Sequence, residues 1–300
     1  MTTPRIAMSM FGMPSLYDND PMGAVYAAQL AEELGIYQVV FQDHVCMGER
    51  TDRYPFGQFP LPPSAPWLEP MVLMSAVAAA TTSIRISSGV VISPLRPATL
   101  FAKMAATLDQ LAHGRLDLGV GVGWQREEYD AQGLDFDQRW SLFDDQLRAC
   151  RALWRDYPVS VQSRHVTLER IYSTPLPRQT ELPLWFGVAP TPRQAQRIAE
   201  LGQGWLPITQ DPAELAAGIA CIKDGLRRAG RDSDTLEVRA IIKPIERQGV
   251  PNIAASLRHA QELLAAGATI LEFVPIHYAT SPQALREALT EVTAWAAGLA

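Results

Sequence analysis

An eightfold alternation of short apolar runs with helix-length stretches constrains this chain more than any other feature. The apolar runs fall at 4–11, 36–41, 84–92, 115–121, 183–188, 204–208, 236–245 and 269–275. The longer stretches lie between and after them, at 21–34, 69–82, 97–112, 137–156, 191–201, 211–229, 252–266 and 281–298. Most of the short runs are apolar on both faces, as strands of a parallel sheet covered on both sides are. Asp20-Pro21, Asp211-Pro212 and Ser281-Pro282 each set a capping side chain before a proline at the first helical position. Gly35, Gly114, Gly202, Gly230 and Gly267 stand where helices end and a left-handed residue is wanted. Eight β/α pairs joined by right-handed crossovers predict a single-domain (β/α)8 barrel over residues 1–300, with an open doubly wound sheet as the rival.

Two connections are too long for turns. Val45 to Leu68 is proline-rich and carries Tyr54, Phe56, Phe59 and Trp67. A stretch so apolar does not stand free in water. Because loops after strands form the active face of a barrel, residues 45–68 are a candidate lid. Residues 157–182 follow a helix instead, so an irregular or β insertion toward the opposite face is expected there.

Composition narrows the function. Apolar residues make up 47% and charged residues 19%, the balance of a folded globule rather than a disordered chain. A formal charge of −6 argues against nucleic acid or an anionic membrane as the main partner, since both need a basic face. Cys46, Cys150 and Cys221 form no CxxC pair, which suits a reducing compartment. The start MTTPRIAMSMFGMP lacks the order of a signal peptide, and the most apolar run, 71–80, is half a membrane span. A soluble, acidic, enzyme-sized globule of the cytoplasm is the expectation.

Asp43-His44 ends the second apolar run, where barrel side chains turn into the site and histidine titrates near neutral pH. His44 is the one expected to face inward. Cys46 raises a cysteine hydrolase as an alternative, although no oxyanion elbow accompanies it and a small filler under the lid fits as well. The five histidines show neither HxH nor HxxxH spacing, so no metal site is expected. Gly119, Gly121 and Gly123 alternate at the end of the fourth run, either exposing backbone to a ligand or relieving a crowded strand end. Phe186-Gly187-Val188-Ala189-Pro190-Thr191 leads into a helix, a place suited to phosphate as well as to an ordinary turn. Arg139, Asp144, Asp145, Arg148 and Trp154 read as a solvated helix face with i,i+4 pairs. The facing of Arg239 and Lys243 is left open.

Residues 81–140, which include SSGVVISPLRP and GRLDLGVGVGW, resemble the luciferase-like monooxygenase family. That family takes in bacterial luciferase, alkanesulfonate monooxygenases and oxidoreductases dependent on the deazaflavin coenzyme F420. The upstream segment DHVCMGERTDRYPFGQFPLPPSAPWLEP is similar to the F420-dependent subgroup, and the likeness spans most of residues 4–210. The resemblance implies a TIM barrel holding F420, or alternatively FMN, at the carboxyl ends of its strands. It implies His44, with Asp43, beside the reactive ring, and Gly89-Val90 at a bulge behind it, often with a cis peptide. It also implies Gly121, Val122 and Gly123 near the cofactor, and Gly187, Val188 and Ala189 as its phosphate turn. A homodimer is implied too. Two departures stand out: GVA replaces the more usual pair of glycines, and Trp124 stands where some sugar-phosphate dehydrogenases place a catalytic glutamate. That particular activity is therefore not expected.

Overall fold

The computed structural model describes residues 3–299. From the N-terminus the elements are β1 (Arg5–Ser9), α1 (Gly23–Glu33), β2 (Gln38–Phe41), α2 (Pro70–Ala80), β3 (Arg85–Ser88), β4 (Val91–Ile92), α3 (Ala98–Leu111), β5 (Leu116–Gly121), α4 (Arg126–Ala131) and α5 (Arg139–Arg155). They continue as β6 (Val159–Gln162), β7 (Thr167–Ile171), β8 (Leu184–Phe186), α6 (Pro192–Leu201), β9 (Gly204–Trp205), α7 (Pro212–Arg228), β10 (Glu237–Ile241), β11 (Glu246–Arg247), β12 (Val250–Pro251), α8 (Ile253–Ala265), β13 (Ile270–Phe273) and α9 (Pro282–Ala297).

The parallel strands run β3-β2-β1-β13-β10-β9-β8-β5-β4, and β3 pairs β5 as well, with Ile86 opposite Leu116. That last pairing closes the ring and excludes the open sheet. β3 and β4 act as one strand interrupted at Gly89-Val90, whose peptide bond is cis. Eight strand positions and their outer helices thus form a single-domain (β/α)8 barrel. Each of the eight predicted runs contains one of these strands, and each predicted helical stretch contains one of the eight longer helices.

Alternation along the strands divides the core in two. On β5, Leu116, Leu118 and Val120 face the helices and join the main apolar core, while Asp117 and the glycines face the barrel axis. The axis carries a polar network beside a small apolar cluster of Ala7, Val40, Trp185, Leu206 and Ile270, so the expectation of strands apolar on both faces holds only in part. Arg239 of β10 donates to Gln38 of β2 at 2.7 Å and to Ser87 of β3 at 2.8 Å, strands that are not its neighbours in the ring. Its guanidinium therefore crosses the interior, where Nε lies 3.0 Å from the Glu272 carboxylate. Gln38 also donates to Asp117 at 2.7 Å, and Arg85 pairs with Asp117. Lys243 is exposed, which settles the facing of both basic residues.

Local signals behaved mostly as their chemistry requires. Asp211 accepts the N–H groups of Ala213 and Glu214 at 2.9 Å, and Ser281 accepts that of Ala284 at 3.2 Å. Asp20 does not cap α1; it accepts the Met22 N–H at 2.9 Å in a turn before the helix. Gly35, Gly114, Gly230 and Gly267 have positive φ, but Gly202 has φ −105° and ends α6 in extended backbone. Residues 157–182 contain the antiparallel β6–β7 pair, and Gln179 reaches the Leu116 carbonyl at the amino end of β5. The insertion therefore lies at the face opposite the carboxyl ends of the strands.

Candidate active site

A cavity of about 1150 Å³ opens at the carboxyl ends of the strands. Asp43, His44, Gly89, Val90, Gly121, Val122, Gly123, Gly187, Val188 and Ala189 all line it, whereas Gly119 and Cys46 do not. Tyr54, Phe56, Phe59 and Trp67 cover it from the segment after β2, and Trp124 from the loop after β5.

β2 ends at Phe41, so strand alternation no longer separates Asp43 from His44, and both side chains are buried. Asp43 is fully engaged. Its carboxylate accepts the Ile92 N–H at 2.8 Å and two Arg96 donors at 2.7 and 3.1 Å. Arg96 in turn holds Glu69 at 2.6 Å. Burial works against the charge of Arg96, but its bonds to Asp43 and Glu69 raise its pKa overall. Asp43 thus ties the end of β2 to the bulged third strand and offers no free carboxylate to a substrate.

His44 is 9% exposed and its Nδ1 lies 3.0 Å from Oε2 of Glu128, which is 0% exposed. A carboxylate accepts only, so Nδ1 carries the proton and Nε2 is left for chemistry. The second Glu128 oxygen accepts the Val45 N–H at 2.9 Å. Sequence reasoning missed Glu128 because α4 is six residues long and carries no apolar period. Its one local signal is the Glu-Glu pair in the first turn, where negative charge is favoured.

The glycines have a steric reason. A Cβ on Gly121 would stand 2.6 Å from Val90 Cγ2, and one on Gly187 2.7 Å from Val90 Cγ1. Val90 is wedged between them, so the crowded-strand reading accounts for both positions. Gly187 N–H is spent on the Val120 carbonyl at 3.0 Å. The N–H groups of Val188 and Ala189 find no acceptor among the described residues. Any anion at this turn is therefore met by Val188 and Ala189 rather than by Gly187.

Arg139 is the second residue that sequence reasoning misplaced. It lines the cavity instead of a solvated face, with its guanidinium 3.8 Å from the centre of the Phe136 ring. The rest of α5 departs from the expected i,i+4 pairs as well: Arg148 bonds Glu200 of α6, Asp144 pairs with Arg197 of α6, and Trp154 is buried with its indole on the Ala102 carbonyl. Cys46 is exposed rather than a buried filler. Loss of hydration around the thiol and the nearby Glu128 charge push its pKa up, the reverse of what a nucleophile needs.

The family model described as luciferase-like monooxygenase matches residues 7–288. An uncharacterized protein of Mycobacterium tuberculosis is 29% identical over 223 residues, covering 73% of this chain and 79% of its own length. A pyrimidine monooxygenase of Cronobacter sakazakii is 28% identical over 175 residues, covering 55% of this chain and 50% of its own. Among solved structures, an F420-dependent secondary alcohol dehydrogenase in complex with an F420-acetone adduct is similar at TM-score 0.73 and 18% identity, covering 98% of both chains. A long-chain alkane monooxygenase is similar at TM-score 0.77 and 14% identity, covering 98% of this chain and 91% of its own. At such identities the two structures speak for the fold.

Proposed function

The chain belongs to the luciferase-like monooxygenase family, and from that premise we propose an oxidoreductase that uses reduced coenzyme F420 for hydride transfer to a small organic substrate. The observation that carries this reading is the His44–Glu128 pair, set in a cavity roomy enough for a cofactor and a substrate together. The cavity fits a phosphate-bearing ring system: two acceptor-free backbone N–H groups stand at Val188 and Ala189, Val90 forms a raised wall, and Arg139 supplies positive charge. Gly121, Val122 and Gly123 complete that wall. When bound, reduced F420 supplies a hydride, whereas reduced FMN supplies oxygen-activating chemistry.

His44 holds or delivers a proton at Nε2 while Glu128 fixes its ring. Asp43 acts through Arg96 and Ile92 N–H as a positioning residue for the bulge. Tyr54, Phe56, Phe59 and Trp67 would exclude water from the cavity where the cofactor and substrate meet. An FMN-dependent monooxygenase is the second reading, favoured by the sequence similarity to a pyrimidine monooxygenase. Fluorescence titration with F420 and with FMN, side by side, tests both; binding of neither at high micromolar concentration removes the oxidoreductase reading.

Two further features belong to this proposal. No described helix is long and apolar enough to cross a membrane, and a cytoplasmic location rests on the unpaired cysteines and acidic composition. A homodimer is supported by α2, which leaves Val72, Ala76 and Ala79 exposed on one apolar stripe of a kind that is normally covered.

A further inference from the structure

We propose that Arg239 is a positioning residue of the candidate active site. From the barrel axis it holds the cavity floor at Ser88-Gly89 and sets a positive charge beneath it, favouring the anionic form of a ring bound above. The proposal rests on the oxidoreductase reading for the identity of that ring.

Three observations converge. The first is reach. Arg239 leaves β10 and crosses the axis to β3, where its guanidinium donates to the Ser87 hydroxyl at 2.8 Å and the Ser88 carbonyl at 3.0 Å. A Cβ on Gly89 would stand 3.0 Å from Nη2 of Arg239, and Gly89 lines the cavity. One glycine backbone therefore separates the guanidinium from whatever lies on the floor.

The second is fixity. The Gly89 N–H donates to the Phe41 carbonyl at 2.7 Å, and the Ser88 hydroxyl donates to the Gly119 carbonyl at 2.7 Å. A Cβ on Gly119 would fall 2.0 Å from the Ser88 oxygen that Arg239 binds. Gly119, which does not line the cavity, thus makes room for this contact.

The third is charge. Arg239 is 2% exposed, and a guanidinium keeps its proton. Two carboxylates act on it, Glu272 of β13 and Asp117 of β5. Asp117 is already paired by Arg85 through two bonds. Glu272 lies 3.0 Å from Nε and is bonded to Ser9, which in turn accepts from Gln42 at 2.9 Å. The pair is therefore oriented, with its positive end under Gly89 and its negative end toward Ser9. Inside a protein such a charge acts across several ångströms without contact.

The ring hydroxyl of oxidised F420 changes absorbance when it loses its proton, so a pH titration of F420 bound to the full chain reads the charge directly. The bound ring should ionise about tenfold more readily in wild type than in Arg239→Met, with Arg239→Lys, which keeps the charge, in between. If FMN is the cofactor that binds, the same effect appears as a midpoint potential lower by about 30 mV in Arg239→Met, the two-electron equivalent of tenfold. Arg53 and Arg139 also line the cavity, but they are common to all variants and cancel in the comparison. Arg239→Met with Glu272→Gln leaves neither charge buried alone and should shift the ionisation in the same direction by less. That double variant carries the test if the single one does not fold. An Arg239 that serves only stability would lower the melting temperature of its variants and leave the bound ionisation in place. Unchanged ionisation, or a shift of the opposite sign, therefore overturns the proposal. Loss of cofactor binding in Arg239→Met that Arg239→Lys restores supports it, and loss in both overturns it. Cofactor binding without the shift removes only the role of Arg239. Binding of neither cofactor to wild type removes the oxidoreductase reading and this proposal together.

Discussion

At the scale of single residues, chemistry and sterics select different side chains at the same cavity. In the proposed reaction His44 exchanges a proton, and a positioned proton donor is worth about 10²–10⁴-fold in rate. His44→Ala should lower turnover by that order while cofactor affinity changes far less, because the phosphate and ring contacts proposed above fall to other residues. Turnover, cofactor dissociation constant and melting temperature measured on the same variant check this; unchanged turnover in a folded protein would leave His44 a loop anchor. Gly187 makes the contrasting case. Its missing side chain houses Val90, so Gly187→Ala should cost about 1–3 kcal/mol of stability through overpacking. Urea denaturation reads that loss, and an unchanged midpoint would show that Val90 moves aside freely. His44 was legible in the sequence from its place at a strand end. Glu128, 84 positions away, was not, because nothing in a six-residue polar helix announces what it touches.

Among elements, the segment 45–68 divides into an anchored and an unanchored part. Gln125 clamps Gly48 by accepting its N–H at 2.7 Å and donating to its carbonyl at 3.2 Å, and Glu128 holds the Val45 N–H. Beyond Tyr54 no comparable bond among the described residues ties the segment to the barrel until Glu69 meets Arg96. Hydrogen exchange should therefore find residues 55–66 fast without ligand and slowed with it, while the Val45 and Gly48 amides stay protected throughout. Uniform protection across the segment in both states would count against a moving lid. A second device joins α1 to the start of β3. Burial pushes the Glu32 carboxyl up, but the N–H groups of Ser83, Ile84 and Thr82 outweigh it and lower the pKa to about 2 from 4.5. A carboxylate depressed in the folded state stabilises above its unfolded value, and that contribution fades as pH falls from 4.5 toward about 2. Glu32→Gln should thus melt lower than wild type at neutral pH, with the gap narrowing across that acid range. Melting curves at several pH values follow it, and a gap independent of pH would assign the effect to lost packing.

For the whole molecule, the polar network on the barrel axis is the decision that most exceeds local pattern. Burial pushes the Glu272 carboxyl pKa up and the Arg239 guanidinium pKa down, and their mutual contact opposes both shifts. Removing Arg239 leaves the Glu272 carboxyl buried without its partner and takes a donor from Gln38, Ser87 and the Ser88 carbonyl. Arg239→Met should therefore cost about 3–5 kcal/mol in denaturant unfolding, and a loss near zero would mean that the axis repacks as an apolar core. Legible in the residues alone were the count of β/α units, the caps at Asp211 and Ser281, the insertion after the second strand and the strand-end positions of His44 and Gly187. Those features are written in contiguous residues, where period, proline and glycine act on their immediate neighbours. Only the tertiary structure decided that Arg239 spans the barrel, that Glu128 orients His44, that Arg139 lines the cavity and that Val90 fills two glycine clefts. Each depends on which residues a closed ring sets opposite one another, and a one-residue change of strand register would turn every such side chain to the other face.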